Sequence, residues 1–153
     1  MIKEIKDSID KARITERILR SLPDWFGIES AIIEYIKEST ELDMIGYVED
    51  DEVIGFLTPK ATSPYAMSIH LMGIHPNYHH QGIGTKLFKY ALDKAKEQGY
   101  KYFTVKTLDE KHPDSYYQKT RLFYESLGFQ KLETFDTLWG KENPCVLLIL
   151  QIA

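Results

Sequence analysis

The spacing of apolar and polar residues changes several times along the chain, and each change marks an element. Ile2 to Ile5 reads as a short strand; Ile9, Ala12, Ile14, Ile18, Leu19 and Leu22 then recur near helical spacing until Pro23 stops the run. After the aromatic turn Asp24-Trp25-Phe26-Gly27, the residues Ile28, Ala31, Ile32, Tyr35 and Ile36 form a second helical stripe. Met44 to Glu49 and Val53 to Thr58 are β-branched or aromatic runs on either side of an acidic tetrad, which predicts an antiparallel hairpin. Tyr65 to Ile74 is a third strand of that run. Gly82 to Gln98 is helical, with Leu87, Phe88, Ala91, Leu92 and Ala95 on one side and Gly99 as its stop. Tyr102 to Val105 follows as a strand, Ser115 to Leu127 as a helix capped by Asp114 or Ser115, and Phe129 to Thr134 and Cys145 to Ile152 as closing strands. Within that last helix, Phe123 and Leu127 are expected to face the core and Tyr124 to lie about 100° away. The order β-αα-βββ-α-β-α-ββ predicts an α/β domain of the α+β type, with a mixed, mostly antiparallel sheet.

Composition narrows the class. The 153 residues suit one domain, 1–153, and 43% hydrophobic with 27% charged residues is ordinary for a globular chain with a real core. Cys145 is the single cysteine and cannot form an internal bridge, as expected in a reducing compartment. The first twenty residues carry charges throughout, and the longest apolar run, Val146 to Leu150, is far too short for a membrane span. These features predict a cytoplasmic protein without a membrane partner. A net charge of −4 argues against nucleic-acid binding through a broad basic surface. Residues 1–60 hold 14 acidic and 8 basic side chains, and residues 61–153 hold 9 and 11. That asymmetry would suit a cationic ligand on one side of a cleft and an anionic ligand on the other, or is simply a solvated surface.

The chemistry concentrates in Gly73-Ile74-His75-Pro76-Asn77-Tyr78-His79-His80-Gln81-Gly82-Ile83-Gly84-Thr85, a strand, a turn and a helix entrance. Gly82 and Gly84 let a ligand approach the backbone where several N–H groups lack partners and the positive end of the helix dipole points. Such a place binds phosphate or pyrophosphate. Two glycines before a helix also serve a plain tight turn. The segment is neither a dinucleotide fingerprint, since Leu87 stands where a third glycine would be needed, nor a Walker loop.

His79-His80-Gln81-Gly82-Ile83-Gly84 resembles the acyl-CoA-binding motif of the GNAT superfamily of N-acyltransferases, Q/R-x-x-G-x-G/A, with His79 in place of Gln or Arg. Arg121-Leu122-Phe123-Tyr124-Glu125-Ser126-Leu127-Gly128-Phe129 resembles the helix of that family ending F-Y-E-x-x-G-F. The resemblance implies a central sheet of about seven strands flanked by about four helices. It also implies acetyl-CoA as co-substrate, with Met72, Gly73 and Ile74 meeting the pantetheine through main-chain N–H groups. His79, His80, Gln81, Gly82, Ile83, Gly84 and Thr85 would then hold the pyrophosphate.

Direct attack on a thioester needs a neutral amine, yet an amine of pKa about 10.4 is about 99.9% protonated at pH 7, and deprotonation costs about 4 to 5 kcal/mol. A base is therefore useful. The resemblance places the usual glutamate of the family at Ser68, which cannot act as one. His70, two residues on and on the same strand face, has suitable chemistry, though it would equally fit a hydrogen-bonded strand histidine. Glu29 is a further candidate for the acceptor side, or a first-turn acid that suits the helix dipole. The resemblance assigns Tyr124 as the acid for the leaving thiolate. The resemblance also implies an acceptor pocket built from the two N-terminal helices and the loop joining the last two strands, which makes Trp25, Phe26 and Trp139 candidate walls, or core plugs. Pro76 keeps His75 and His79 from sharing a helical face, so no metal site is expected, and Cys145 has no histidine near it in sequence. Two functions follow: transfer of acetyl from acetyl-CoA to a primary amine of a small molecule or peptide, or non-catalytic sensing of acyl-CoA on the same fold. The family resemblance is also compatible with a homodimer.

Overall fold

A computed structural model describes every residue from Met1 to Ala153. The elements are β1 (Ile2–Ile5), α1 (Ser8–Arg20), α2 (Glu29–Ser39), β2 (Met44–Glu49), β3 (Glu52–Ala61), β4 (Ala66–Ile74), a 3₁₀ turn (Pro76–Tyr78), α3 (Ile83–Glu97), β5 (Tyr102–Leu108), α4 (Ser115–Ser126), β6 (Gln130–Phe135) and β7 (Cys145–Gln151). The hydrogen-bonded strand order is β1-β2-β3-β4-β5-β7-β6. β4 pairs parallel with β5, while β1 with β2, β2 with β3, β5 with β7 and β6 with β7 are antiparallel. This is the mixed, mostly antiparallel sheet with four helices that the periodicity predicted. The chain forms two compact units, Met1–Lys60 with His70–Ala95, and Ala61–Ile69 with Lys96–Ala153, and β4 passes from the second into the first.

In the first unit, the Asp7 carboxylate caps α1 by accepting from the N–H groups of Ile9 and Asp10. Ile14, Ile18 and Leu19 turn inward and, with Leu22, pack on Ile5, Met44, Phe56 and Leu71, which makes the core of this unit. The helix ends at Arg20, ahead of Pro23, but Leu22 stays buried. The acidic tetrad makes a two-residue hairpin: Glu49 pairs with Glu52, and Asp50 and Asp51 adopt positive φ of 51° and 63°. Both central residues of a type I′ turn need that conformation, and Asp tolerates it better than most side chains. Burial along β4 alternates as period two requires, with Ile69, Leu71 and Gly73 buried and Ser68, His70, Met72 and Ile74 half-buried.

In the second unit, β5 lies between β4 and β7, with Phe103 and Val105 buried. Asp114 caps α4 by accepting from the N–H groups of Tyr116 and Tyr117. The expected inward face of α4 is corrected here. Tyr124 is its buried residue, 6% exposed, whereas Phe123 and Leu127 are only half-buried. The stripe that turns inward is Tyr117, Thr120, Arg121 and Tyr124, spaced i, i+3, i+4, i+7, and the guanidinium of Arg121 donates to the Leu108 carbonyl at 2.7 Å. Mostly polar residues build this face, so apolar periodicity pointed elsewhere.

Candidate active site

The strand, loop and helix that carry the glycines lie in the first unit. At the end of β4 the His75 N–H donates to the Ile54 carbonyl at 2.8 Å, and the His75 ring accepts from the Asn77 N–H, which winds Pro76 to Tyr78 into the 3₁₀ turn. His79 then folds back: its Nε2 lies 2.7 Å from the Ile74 carbonyl oxygen, and because a carbonyl can only accept, that nitrogen carries the proton. His80 takes a left-handed φ of 63°. Gly82 follows at φ 76°, a conformation that favours glycine, and a Cβ built there would meet nothing within 4 Å. The first bond of α3 runs from the Lys86 N–H to the Gly82 carbonyl, so the N–H groups of Ile83, Gly84 and Thr85 are first-turn donors without an intrahelical partner. Open space in front of a glycine and a fan of amide donors fits the pyrophosphate of acetyl-CoA.

Gly73 is small for a different reason. A Cβ there would lie 3.0 Å from Ile18 Cγ2 and 3.4 Å from Leu22 Cδ1, so close packing of α1 on β4 requires the glycine.

Beside the loop, the aromatic residues form three ring contacts. Trp25 meets the His79 ring edge-on at 5.8 Å between centroids. Phe26 meets Tyr35 at 6.1 Å, and Tyr35 meets His70 at 6.0 Å, both near perpendicular. Trp25 and Phe26 are half-buried and also pack against the core of this unit. His70 Nε2 stands 3.1 Å from Glu38 Oε2. Burial, and secondarily the charge of Glu38, pushes the Tyr35 phenol above its usual range.

Glu29 does not join this group. Its carboxylate takes a bidentate pair of hydrogen bonds from Arg20, at 2.7 and 2.8 Å, which holds its pKa below the usual carboxylate range. Sequence reasoning did not single out Tyr35 and Glu38, the two residues of α2 that contact His70. Tyr35 was visible only as one member of an apolar stripe, and Glu38 had no signal, since its partner stands 32 positions away.

In the second unit, Tyr124 contacts Phe123 at 5.5 Å and Phe129 at 5.8 Å between ring centroids. Burial, with a lesser effect of Tyr117, drives its phenol far above the ordinary tyrosine value, so it remains protonated at any physiological pH. The parallel ladder of β4 with β5 runs from Ala66–Tyr102 to Ile69–Val105, and β5 continues to Leu108 along β7. Trp139 is 43% exposed on the loop before β7. Cys145 is fully buried, and burial pushes its thiol up, which makes it a poor nucleophile. No group of three or more His, Cys, Asp or Glu side chains stands together as a metal site, and no helix is long and apolar enough to cross a membrane.

Strand, glycine entrance and helix, on a mixed sheet of this order, are the parts that the motif resemblance assigns to an acyl-CoA-binding domain. Residues 42–131 match the acetyltransferase (GNAT) domain. That is more than half of the chain, which belongs to this family of acetyl-CoA-dependent acetyltransferases. No curated protein matches the chain by sequence. Among solved structures, a protein of Desulfovibrio desulfuricans assigned to the GNAT family is similar at TM-score 0.85 and 17% identity, covering 100% of this chain and 99% of that one. The aminoglycoside 6'-N-acetyltransferase of Enterococcus faecium is similar at 0.76 and 19%, covering 100% and 97%. The yncA acetyltransferase of Salmonella typhimurium, solved with its cofactor acetyl-CoA, is similar at 0.74 and 17%, covering 100% and 94%. At these identities the likeness concerns the fold.

Proposed function

We propose that the chain, as a single cytoplasmic domain over residues 1–153, transfers acetyl from acetyl-CoA to a primary amine of a small molecule or peptide by direct attack. The carrying observation is the Gly82 loop, with a positive φ, empty space before it and first-turn amides of α3 that lack an intrahelical partner. Ile83, Gly84 and Thr85 would hold the pyrophosphate through main-chain N–H groups, with His80 and Gln81 shaping the turn, and Met72, Gly73 and Ile74 would meet the pantetheine from the end of β4. Acetyl-CoA supplies the thioester carbonyl that the amine attacks.

His70 accepts the proton of the attacking amine as the C–N bond forms and the C–S bond breaks. Tyr124, whose phenol burial makes a weak acid, keeps its proton and donates a hydrogen bond to the leaving sulfur, which takes its own proton from solvent. Trp25 and Phe26, next to Tyr35 and His70, supply the apolar side of the acceptor position, and Trp139 is proposed as a further wall. Calorimetric titration with acetyl-CoA tests the loop. A panel of aminoglycosides, polyamines, amino acids and lysine peptides, read by free-thiol release, tests transfer. Binding with release on any amine is the expected result; binding without release on any would favour an acyl-CoA sensor, and no binding would refute the assignment of the loop.

A further inference from the structure

Glu38 sits in the last turn of α2, where the free carbonyls at the helix end carry partial negative charge and disfavour a carboxylate. Local helix energetics therefore gives no reason for it. Its carboxylate nonetheless stands 3.1 Å from His70 Nε2, with side chains 29% and 24% exposed, respectively. That nitrogen is shut off from solvent and has no aligned hydrogen-bond partner, so the carboxylate acts on the ring through its field. Tyr35, one turn earlier and on the same face of α2, meets the ring nearly perpendicular and limits its tilt.

We infer that Glu38 is the positioning residue for His70, keeping the ring proton on Nε2 and turning Nδ1 toward the acceptor amine. The inference rests on the reading of His70 as the base. A carboxylate beside Nε2 favours the tautomer with the proton there and leaves the lone pair on Nδ1. When Nδ1 takes the proton of the amine, both nitrogens carry hydrogen and the positive ring faces the carboxylate, so the charge created in the step already has its counterion in place. Tyr35, raised by burial and by Glu38, stays neutral and adds no second charge to the contact.

A double-mutant cycle tests this: wild type, Glu38→Gln, His70→Gln and the double variant, assayed by thiol release from acetyl-CoA with kanamycin, spermidine and a lysyl peptide as acceptors. Glu38→Gln should lower kcat about tenfold and leave the KM for acetyl-CoA within about twofold. His70→Gln should lose about 100-fold or more, and the double variant should be no slower than His70→Gln alone. Glu38→Gln should melt at or above the wild-type temperature, since it removes a carboxylate from the helix C-terminus. Full activity in His70→Gln would refute the base reading itself. Loss in His70→Gln with none in Glu38→Gln, or losses that simply multiply in the double variant, would refute the positioning role while sparing the base. A lower melting temperature with weaker acetyl-CoA binding in both Glu38→Gln and Glu38→Ala would make Glu38 structural and overturn the inference. Absence of release by the wild type with all three amines would overturn the transferase reading and the inference with it.

Discussion

Gly73→Ala is the sharpest test of how β4 is seated. The added methyl would sit 3.0 Å from Ile18 Cγ2, 3.4 Å from Leu22 Cδ1 and 3.5 Å from Phe56 Cε1. Carbon atoms rest about 3.5 to 4.0 Å apart, so the contact with Ile18 is short by about half an ångström or more. Ile18 and Phe56 are wholly buried and Leu22 nearly so, which leaves little room to yield. Overpacking of this kind costs about 1 to 3 kcal/mol, and restricting the unfolded chain returns about 0.4 to 1. The balance, about 1.5 kcal/mol of destabilisation, should lower the melting temperature by roughly 3 to 6 °C for a chain of this length. Urea unfolding and thermal melts followed by circular dichroism would measure it. Because residue 73 would meet pantetheine only through its main chain, acetyl-CoA affinity should stay within about threefold, well under the tenfold that 1.4 kcal/mol represents. Ile18→Leu removes the offending Cγ2 branch, so the double variant should be more stable than the sum of the two single effects. Wild-type stability in Gly73→Ala, or strict additivity in the pair, would refute the packing argument.

Three further outcomes follow from the same geometry. Tyr124→Phe should keep acetyl-CoA binding and lower kcat by roughly 10- to 150-fold, the value of one hydrogen bond to a charged atom, and unchanged turnover would remove Tyr124 from the reaction. Gly82→Ala should weaken acetyl-CoA at least about tenfold in calorimetry while shifting the acceptor KM much less, because the methyl enters the open space before the helix; equal effects on both would count against that placement. Above pH 10 the unfolded chain loses the Tyr124 proton while the folded chain keeps it, so stability should fall with rising pH by up to about 1.36 kcal/mol per unit and show no such slope below pH 10. Tyr35 acts in the same direction, and Tyr124→Phe should flatten the alkaline limb in urea titrations, a result whose absence would deny the buried phenol.

What the sequence made legible is whatever depends on local spacing. The order of elements, the alternation along β4 and the stripe Leu87, Phe88, Ala91 and Ala95 that α3 buries are properties of neighbours, and they could be read directly. The Asp50-Asp51 turn was readable because two acidic residues between strand runs have few other uses. What stayed hidden depends on tertiary partners. The inward face of α4 consists of Tyr117, Thr120, Arg121 and Tyr124, and only the Leu108 carbonyl explains why an arginine belongs there. Glu29 resembled an acceptor-side acid until Arg20 was seen to occupy both of its oxygens. Glu38 meets His70 across 32 positions, a distance over which periodicity carries no information.

His79 shows what a departure from a family pattern can mean physically. At the position where the resembling motif has Gln or Arg, its Nε2 is committed to the Ile74 carbonyl and its ring edge to Trp25. The proton on Nε2 that binds the end of β4 cannot also bind a phosphate oxygen, so anion binding at this loop falls to the main-chain donors of Ile83, Gly84 and Thr85. In exchange, the ring closes the loop onto the strand that precedes it. It also ties the loop to the turn between α1 and α2 that carries Trp25 and Phe26. The substitution thus leaves the backbone cradle intact and adds a mechanical link between the two proposed ligand positions of the first unit, and a longer, freely rotating side chain aimed at phosphate would not make that link.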